Sequence, residues 1–168
     1  MRIGLLIALL LLNLGCVPEQ EPLAPELKGR WAVPNAAKLR YALAAERYPN
    51  PPAPAAAGDC RDEYVTFHKR GIALHMNARV NPLMMVSDVK RNGARLILSG
   101  NAPTVAGGEK MQIELSLRNG EIRLDDIVDR RGRSIVYDRV EGEQARRLGI
   151  TTIGDVFRLV LDLKPCRA

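Results

Sequence analysis

Three polar residues late in the chain are candidates for binding an acidic ligand, because the predicted strands place them on one apolar face. A turn at Arg131-Gly132 pairs Asp126 with Tyr137 and brings Arg139 next to them. A buried carboxylate is costly unless it is paired, so we expect Asp126 to contact Arg139 or the Tyr137 hydroxyl. An arginine and a tyrosine at the end of a β-barrel can also receive the acidic head group of a ligand. The slightly favoured interpretation is a β-bulge at Asp125-Asp126 that turns Asp126 outward, because Asp125-Asp126 followed by Ile127 suits a bulge.

Catalytic motifs are absent from the sequence. It has no Gly-x-Ser-x-Gly turn, no His-Glu-x-x-His zinc motif and no glycine-rich phosphate loop that opens a helix. His68 and His75 lie roughly 13 Å apart on the predicted strands, too far to share a metal ion, and are expected to be solvated. Met76, Met84 and Met85 could bind a soft metal, but core packing is the better interpretation. We therefore expect no metal, no cofactor and no enzymatic activity.

The basic charge balance alone is a weak argument for nucleic-acid binding. The 168-residue chain has 25 Lys and Arg against 19 Asp and Glu, but aromatic residues make up only 4%. Stacking surfaces for single-stranded nucleic acids are therefore scarce, and no nucleic-acid partner is expected. The turn Arg130-Arg131-Gly132-Arg133, together with Arg146-Arg147, is a candidate site for anionic lipopolysaccharide or an acidic partner. A solvated turn is the favoured interpretation of these residues.

The amino terminus has the pattern of an export signal. A charged start, Met1-Arg2, precedes the apolar run from Ile3 to Leu12 and a small residue, Gly15. The run has about a dozen residues, whereas crossing a bilayer takes roughly 20. A permanent membrane helix is therefore the weaker interpretation.

The segment Leu12-Asn13-Leu14-Gly15-Cys16 resembles the lipobox of bacterial lipoproteins. The resemblance implies that residues 1–15 are a lipoprotein signal peptide and that Cys16 is acylated and becomes the first residue of the mature chain. Because Val17 is not an Asp, it also implies a lipid anchor in the outer membrane, with the protein on the periplasmic face.

The other two cysteines, Cys60 and Cys166, form an even pair once Cys16 carries the lipid. Because the periplasm is oxidising, we expect a disulfide between them. It would close a loop of about one hundred residues, which the chain-entropy treatment values at roughly 4 to 5 kcal/mol. Two separate buried thiols are the alternative.

The sequence divides into a tether and one domain. Val17 to Glu26 is rich in Pro and Glu, so residues 16–27 are expected to form a flexible tether in which nothing packs. Residues 28–168 are expected to form a single barrel domain. The Ala-, Leu-, Lys- and Arg-rich stretch at residues 35–48 predicts a helical insert, which Pro49 ends.

Hairpin turns set the expected strand registers from Asp62 onward, where apolar and polar residues alternate. Two-residue turns are predicted at Lys69-Arg70, Asn92-Gly93 and Asn119-Gly120, with a weaker one at Arg131-Gly132. The expected pairs are Val65 with Leu74, Phe67 with Ile72, Val89 with Leu96, Ser87 with Leu98, Leu117 with Ile122, Leu115 with Leu124, Met111 with Val128, and Val128 with Ile135.

The last third of the chain combines strands with a short helix. Arg133 to Val140 is predicted to be a strand, and Glu143 to Leu148 a short helix. Asp155 to Leu163 fits either a helix or a strand. Strand alternation leaves fewer leucines unburied, so we predict a strand there.

With Gly29 to Val33 as the first strand, the sequence predicts a mainly β fold. About eight antiparallel strands form one sheet, which buries its apolar face by closing into a small barrel or folding into a sandwich. One or two short helices accompany the barrel. Bulky inward residues indicate a filled interior: Leu74, Leu96, Leu115 and Leu117.

The segment Leu27-Lys28-Gly29-Arg30-Trp31 resembles the first-strand start of lipocalins and related calycin barrels. The same start occurs in the periplasmic metalloprotease inhibitors of Gram-negative bacteria. In lipocalins the Trp packs beneath an Arg from a late strand, so the resemblance implies a cation–π contact between Trp31 and Arg139. It also implies a protein that binds a ligand or presents its amino-terminal segment to a protease.

We therefore expect a monomeric, lipid-anchored periplasmic protein that binds or inhibits a protein partner or a small ligand. The filled interior favours the protein partner. A structural or assembly role at the outer membrane is the alternative. The candidate ligand-binding residues are Trp31, Asp126, Tyr137 and Arg139.

Overall fold

The computed structural model describes residues 22–38, 60, 63–76, 79–102 and 110–166. In these residues eight antiparallel strands form one nearly closed barrel, which confirms the predicted fold class. The predicted signal segment at residues 1–15 and Cys16 lie outside the described residues. Of the predicted helix at 35–48, residues 36–38 are helical and residues 39–48 lie outside the described ranges.

The strands are β1 (Arg30–Ala32), β2 (Glu63–His68), β3 (Gly71–Met76), β4 (Arg79–Asn92), β5 (Arg95–Asn101), β6 (Lys110–Arg118), β7 (Glu121–Val128) and β8 (Lys164–Pro165). A 3₁₀ turn at Pro25–Leu27 precedes them, and helices α1 (Glu143–Leu148) and α2 (Ile153–Leu161) separate β7 from β8. Helix α1 has the bounds that the sequence predicts. In the part of the chain that the structure describes, no helix is long and apolar enough to cross a membrane.

The barrel closes through the end of the chain. The strand order β7-β6-β5-β4-β3-β2-β1-β8 leaves β7 and β8 as the two edges. The backbone N–H groups of Ile122 and Leu163 each donate to the carbonyl oxygen of the other residue at 2.9 Å. The N–H of Leu124 donates to Oδ1 of Asp162, also at 2.9 Å. These bonds occupy backbone groups that the edge of β7 would otherwise leave unpaired.

A disulfide joins Cys60 to Cys166, the pair expected from the sequence, with Cα atoms 5.8 Å apart. Cys166 follows β8 directly, and its N–H donates to the carbonyl oxygen of Arg30 at 3.1 Å. The bridge therefore holds the closing strand against the barrel wall near the start of β2.

The first and third hairpins have the predicted registers beside their turns. The observed pairs include Val65 with Leu74, Phe67 with Ile72, Leu117 with Ile122 and Leu115 with Leu124. Alternation and turn type agree in both hairpins, so the register has one solution that buries the apolar side chains.

The second hairpin has a different register from the predicted one. Its two-residue loop is Gly93-Ala94, so Val89 pairs with Leu98, and the predicted pairs of Val89 with Leu96 and of Ser87 with Leu98 are wrong. Gly93 has φ +61° as the first loop residue, where a type II′ turn places glycine. The shift changes the partners, but Leu96 and Leu98 still face inward. Ser87 lies at a bulge in β4 and is exposed.

A β-bulge in β7 decides the position of Asp126. Leu124 pairs with Leu115 but Asp126 pairs with Glu114, so Asp125 is an extra residue. Beyond the bulge, Val128 pairs with Gln112, and its predicted pairing with Met111 is wrong. The bulge puts Ile127 into the core, where it is fully buried, and turns Asp126 outward. The predicted bulge is therefore correct, and the alternative of an inward Asp126 is wrong.

The strand predicted at Arg133–Val140 is wrong. A turn over Arg130-Arg131-Gly132, with Gly132 at φ +78°, brings Val128 opposite Ser134 instead of Ile135. The Asp129 carboxylate accepts the N–H groups of Arg131 and Arg133 at 2.8 and 3.0 Å, which fixes this longer turn. The chain then leaves the sheet, because the edge of β7 is occupied nearer its start by Leu163.

The strand predicted at Asp155–Leu163 is also wrong, because Ile153–Leu161 forms helix α2. Thr152 and Asp155 form a capping box: the Thr152 hydroxyl oxygen accepts the N–H of Asp155, and Oδ2 of Asp155 accepts the N–H of Thr152. The helix packs along β7 and buries Phe157 and Leu161, one turn apart, against the barrel. Helical spacing therefore buries the bulky residues that strand alternation assigned to one face.

The amino-terminal segment is packed from Pro22 onward, so the expectation that nothing packs before residue 28 is wrong. Pro22 bridges His68, and the N–H of Leu23 donates to the carbonyl oxygen of Phe67 at 3.4 Å. Leu27 is completely buried and Glu26 forms an ion pair with Arg91. Leu27 joins the barrel core, which places this segment in the folded body despite its prolines and glutamates.

Candidate functional site

The predicted site residues separate into three places. Tyr137 and Arg139 line one open cleft, whereas Asp126 and Trp31 lie elsewhere. Asp126 accepts hydrogen bonds from the Ser134 hydroxyl at 2.5 Å and from the N–H of Ile127 at 2.8 Å. It therefore holds the turn after β7 instead of pairing with Arg139.

Trp31 is a core residue of the barrel. It pairs with Val65, and its indole Nε1–H donates to the carbonyl oxygen of Leu27 at 3.1 Å. Arg139 is exposed in the cleft, so the contact implied by the lipocalin resemblance is not formed. The cation–π contact of the described residues joins Arg30 to Tyr64, with the guanidinium carbon 4.5 Å from the ring centroid.

The cleft has a volume of about 670 Å³ and lies between the chain that follows β7 and helix α1. Its lining consists of Tyr137, Arg139, Val140, Glu141, Gly142, Arg146, Ile150, Thr151 and Thr152. The volume lies within the roughly 300–1,000 Å³ typical of small-ligand sites. The cleft is therefore large enough for a small molecule or for a few residues of a partner protein.

A short antiparallel ribbon positions one wall of the cleft. The N–H of Val140 donates to the Thr151 carbonyl oxygen and the N–H of Ile153 donates to the Asp138 carbonyl oxygen, both at 2.9 Å. These two bonds flank Arg139 and Thr152, which face each other as a bridge pair without bonds between them. Side chains of such a pair are close and lie on one face, so the Arg139 side chain starts beside Thr152.

Helix α1 supplies the opposite wall. Gly149 ends the helix in the left-handed conformation, at φ +64°, and its N–H donates to carbonyl oxygens of the last turn. The N–H of Ile150 then donates to the Ala145 carbonyl oxygen at 2.8 Å. This reversal places Arg146 of α1 across from the ribbon that carries Arg139.

Asp155 holds the base of the cleft in place. Its Oδ2 accepts the Thr151 N–H at 3.0 Å, the Thr151 hydroxyl at 2.9 Å and the Thr152 N–H at 2.9 Å. The backbone hydrogen bond from Thr151 is the largest cause that lowers the pKa of Asp155, from 3.8 to about 2. The side chain is therefore ionised at neutral pH, and it joins the start of α2 to the lining residues Thr151 and Thr152.

Two cleft arginines have no acidic partner among the described residues. Arg133 is paired with Asp138 at 2.8 Å, and Arg147 is paired with Glu143. By contrast, none of the described carboxylates lies within ion-pair distance of the cleft arginines Arg139 and Arg146. Glu141 is the acidic residue of the lining, so the side chains carry one net positive charge.

This lining can bind an anionic group beside an aromatic surface. Guanidinium groups bind carboxylate and phosphate oxygens with charge-assisted hydrogen bonds. Tyr137 has 78% of its surface exposed, which is unusual for a large side chain and leaves its ring free for a partner. The sequence places Arg146 in a basic group, but only the fold brings it to Tyr137 and Arg139.

The barrel interior is filled, as the bulky inward residues predict. Leu74, Leu96 and Leu115 are buried in one continuous core, and Leu117 is partly buried against it. An apolar cavity of about 50 Å³ lies between α2 and the inward residues Ile72, Met84 and Ile113. This space is far smaller than the roughly 300 Å³ of a typical ligand site.

The structure also contains an outer-wall cluster that the sequence did not predict. The rings of Tyr64 and His75 stack at 4.4 Å, and the Thr66 hydroxyl lies 2.9 Å from Nε2 of His75. Burial, followed by the charges of Arg30 and His68, lowers the pKa of His75. His68 and His75 are thus half-buried, contrary to the prediction of solvated side chains. Within the described ranges, no three His, Cys, Asp or Glu residues form a metal-binding group.

In comparisons with known proteins, no family model, no curated protein and no solved structure matches the chain.

Proposed function

We propose that this protein is a non-enzymatic binding protein of the bacterial envelope, held in the outer membrane by a lipid on Cys16. It binds an acidic segment of a protein partner in the cleft formed by Tyr137, Arg139 and Arg146. The lipid anchor rests on the lipobox resemblance of residues 12–16. The binding role rests on the cleft.

The observation that carries the proposal is the position of Arg139 and Arg146 beside an exposed Tyr137, without acidic partners in the described residues. Tyrosine and arginine are over-represented among the residues that contribute most to protein–protein binding. Acidic residues of a partner would pair with the guanidinium groups, and an apolar group of the partner would cover the tyrosine ring. The filled barrel interior supports an external binding site over an internal one.

The packed amino terminus restricts the inhibitor alternative. A segment presented to a protease would have to precede Pro22, because Leu27 is completely buried and Glu26 is paired with Arg91. Deleting residues up to Leu27 would remove core packing and would not test inhibition alone. The cleft is accessible without such a rearrangement.

Site-specific photo-cross-linking in the native envelope tests the proposal. A photoreactive phenylalanine analogue replaces Tyr137 in one variant and Val80 in the matched control. Both side chains are exposed, by 78% and 62%, but Val80 lies on the wall of the barrel in β4. We expect a discrete cross-linked protein from position 137 and none of the same mass from position 80.

The charge requirement is tested in the same cells. The changes Arg139→Glu and Arg146→Glu should abolish the product at position 137, whereas Arg130→Glu and Arg131→Glu, in the neighbouring turn, should leave it. Equal products from positions 137 and 80, or a product unaffected by reversal of the cleft charges, would contradict the proposal. Cross-linking to an integral outer-membrane protein would indicate the accessory role instead of inhibition.

A further inference from the structure

Basic residues are concentrated at one end of the barrel. In an antiparallel meander alternate turns lie at the same end, so the turns Lys69-Arg70, Gly93-Ala94 and Asn119-Gly120 lie together. Within three residues of these turns the sequence has seven Lys or Arg and one acidic residue, Glu121. The basic residues, called here the basic end surface, are Lys69, Arg70, Lys90, Arg91, Arg95, Arg118 and Arg123.

The amino-terminal segment enters the fold at this same end. Pro22 bridges His68, beside the turn at Lys69-Arg70, and Glu26 pairs with Arg91. Cys16 precedes Pro22 by six residues, and a chain of that length reaches at most about 22 Å. A lipid on Cys16 would therefore hold the basic end surface close to the bilayer.

The positive charge of this surface is only partly neutralised. Besides the pair of Arg91 with Glu26, Lys90 lies 3.8 Å from Asp88 and Arg95 lies 3.5 Å from Asp125. Arg123 lies 2.5 Å from Glu121 and 3.6 Å from Asp162. Arg70 and Arg118 are exposed and have no acidic partner among the described residues. They are the two residues best placed to contact an external anion.

The cleft lies toward the opposite end. Strand β7 starts at the turn Asn119-Gly120 and ends at Val128, and the chain that builds the cleft follows Val128. A barrel that stands on its basic end would therefore present Tyr137, Arg139 and Arg146 away from the bilayer.

We propose that the basic end surface docks on anionic phospholipid head groups and orients the barrel with its cleft pointing into the periplasm. The inference rests on the proposed lipid anchor, which supplies proximity to the bilayer. Each Lys or Arg close to an anionic membrane raises the binding constant for that membrane about fivefold. The attraction falls off within roughly 10 Å of the surface. The docked state thus requires the short linkage to Cys16 together with Arg70 and Arg118.

Fluorescence quenching of the acylated protein in vesicles tests the orientation. A fluorophore is attached at Asn92→Cys, beside a turn of the basic end, or at Arg130→Cys, beyond the end of β7. The vesicles contain a head-group quencher in phosphatidylcholine alone or with added phosphatidylglycerol. We expect phosphatidylglycerol to increase quenching at position 92 and not at position 130, and high salt to reverse the increase.

Charge reversals identify the residues responsible. Arg70→Glu with Arg118→Glu should remove nearly all of the increase at position 92. Arg79→Glu with Lys110→Glu, at the opposite end, should leave it intact. Equal quenching of the acylated protein with and without phosphatidylglycerol, or equal quenching at positions 92 and 130, overturns the docking. Neither result affects the proposed lipid anchor. If mass spectrometry shows that protein isolated from the envelope carries no acyl chains on Cys16, both the anchor and the docking are overturned.

Discussion

Asp155 gives the most direct test of how the cleft is held together. Its carboxylate joins Thr151 and Thr152 to the first turn of α2 through three hydrogen bonds. Replacing it by Asn keeps the shape and one acceptor oxygen but removes the charge. We therefore expect Asp155→Asn to fold and to be less stable at neutral pH.

The magnitude follows from the pKa of Asp155, which folding lowers from 3.8 to about 2. At 1.36 kcal/mol per pKa unit this change is at most about 2.4 kcal/mol. The side chain is one-third exposed, so solvent screening reduces the expected loss to about 1 kcal/mol. Loss of a helix cap has a similar cost of about 1 kcal/mol.

Urea unfolding of the oxidised protein across a pH series measures this loss. Because the folded-state pKa is the lower one, the stabilisation is fully present above about pH 4 and is lost as the pH falls toward 2. The free-energy difference between wild type and Asp155→Asn should therefore shrink over that interval. Asp88→Asn, an exposed residue paired with Lys90 at 3.8 Å, is the matched control and should change stability little. A difference that is absent at pH 7, or that stays constant down to pH 2, would refute the role assigned to Asp155.

The remaining predictions concern closure of the barrel. Phe157→Ala should reduce the free energy of unfolding by about 3 to 5 kcal/mol, because the side chain is 94% buried between α2 and the barrel. Val80→Ala, on the exposed wall, should change it by less than about 0.5 kcal/mol in the same thermal or urea unfolding, and equal losses would contradict the assignment of α2 to the core. Cys166→Ser should cost about 4 to 5 kcal/mol, because the bridge spans a sequence separation of 106 residues. A reduced wild-type protein should unfold at the same urea concentration as that variant, and a variant as stable as the oxidised protein would show that the bridge does not hold the closing strand.

The fold is observed in the structure, whereas the lipoprotein resemblance supports only a proposal about function. The barrel, its filled interior and its closing disulfide are properties of the folded chain, whereas anchoring and partner binding are the proposals that the cross-linking and vesicle experiments address. A shared barrel shape alone licenses no activity, so the cleft residues carry the functional hypothesis.

Local sequence determined the hairpins beside Lys69-Arg70 and Asn119-Gly120, because turn residues and alternation impose the same register there. It also contained the signal for α2, since Thr152 and Asp155 have the spacing of a capping box. A short apolar run fits both the helix period and the strand period. The alternating leucines therefore led to the prediction of a strand, despite the capping box.

Tertiary structure alone decided the bulge and the cleft. Asp125 and Asp126 are identical in type, so only the burial of Ile127 against the neighbouring strand selects which way Asp126 points. Arg146 lines the same cleft as Arg139 and Tyr137. This is because Gly149 reverses the chain after α1 and the backbone of Leu163 pairs with that of Ile122 to close the barrel. The sequence by itself determined which faces are apolar, since alternation is local, whereas contacts between distant segments depend on how those faces pack.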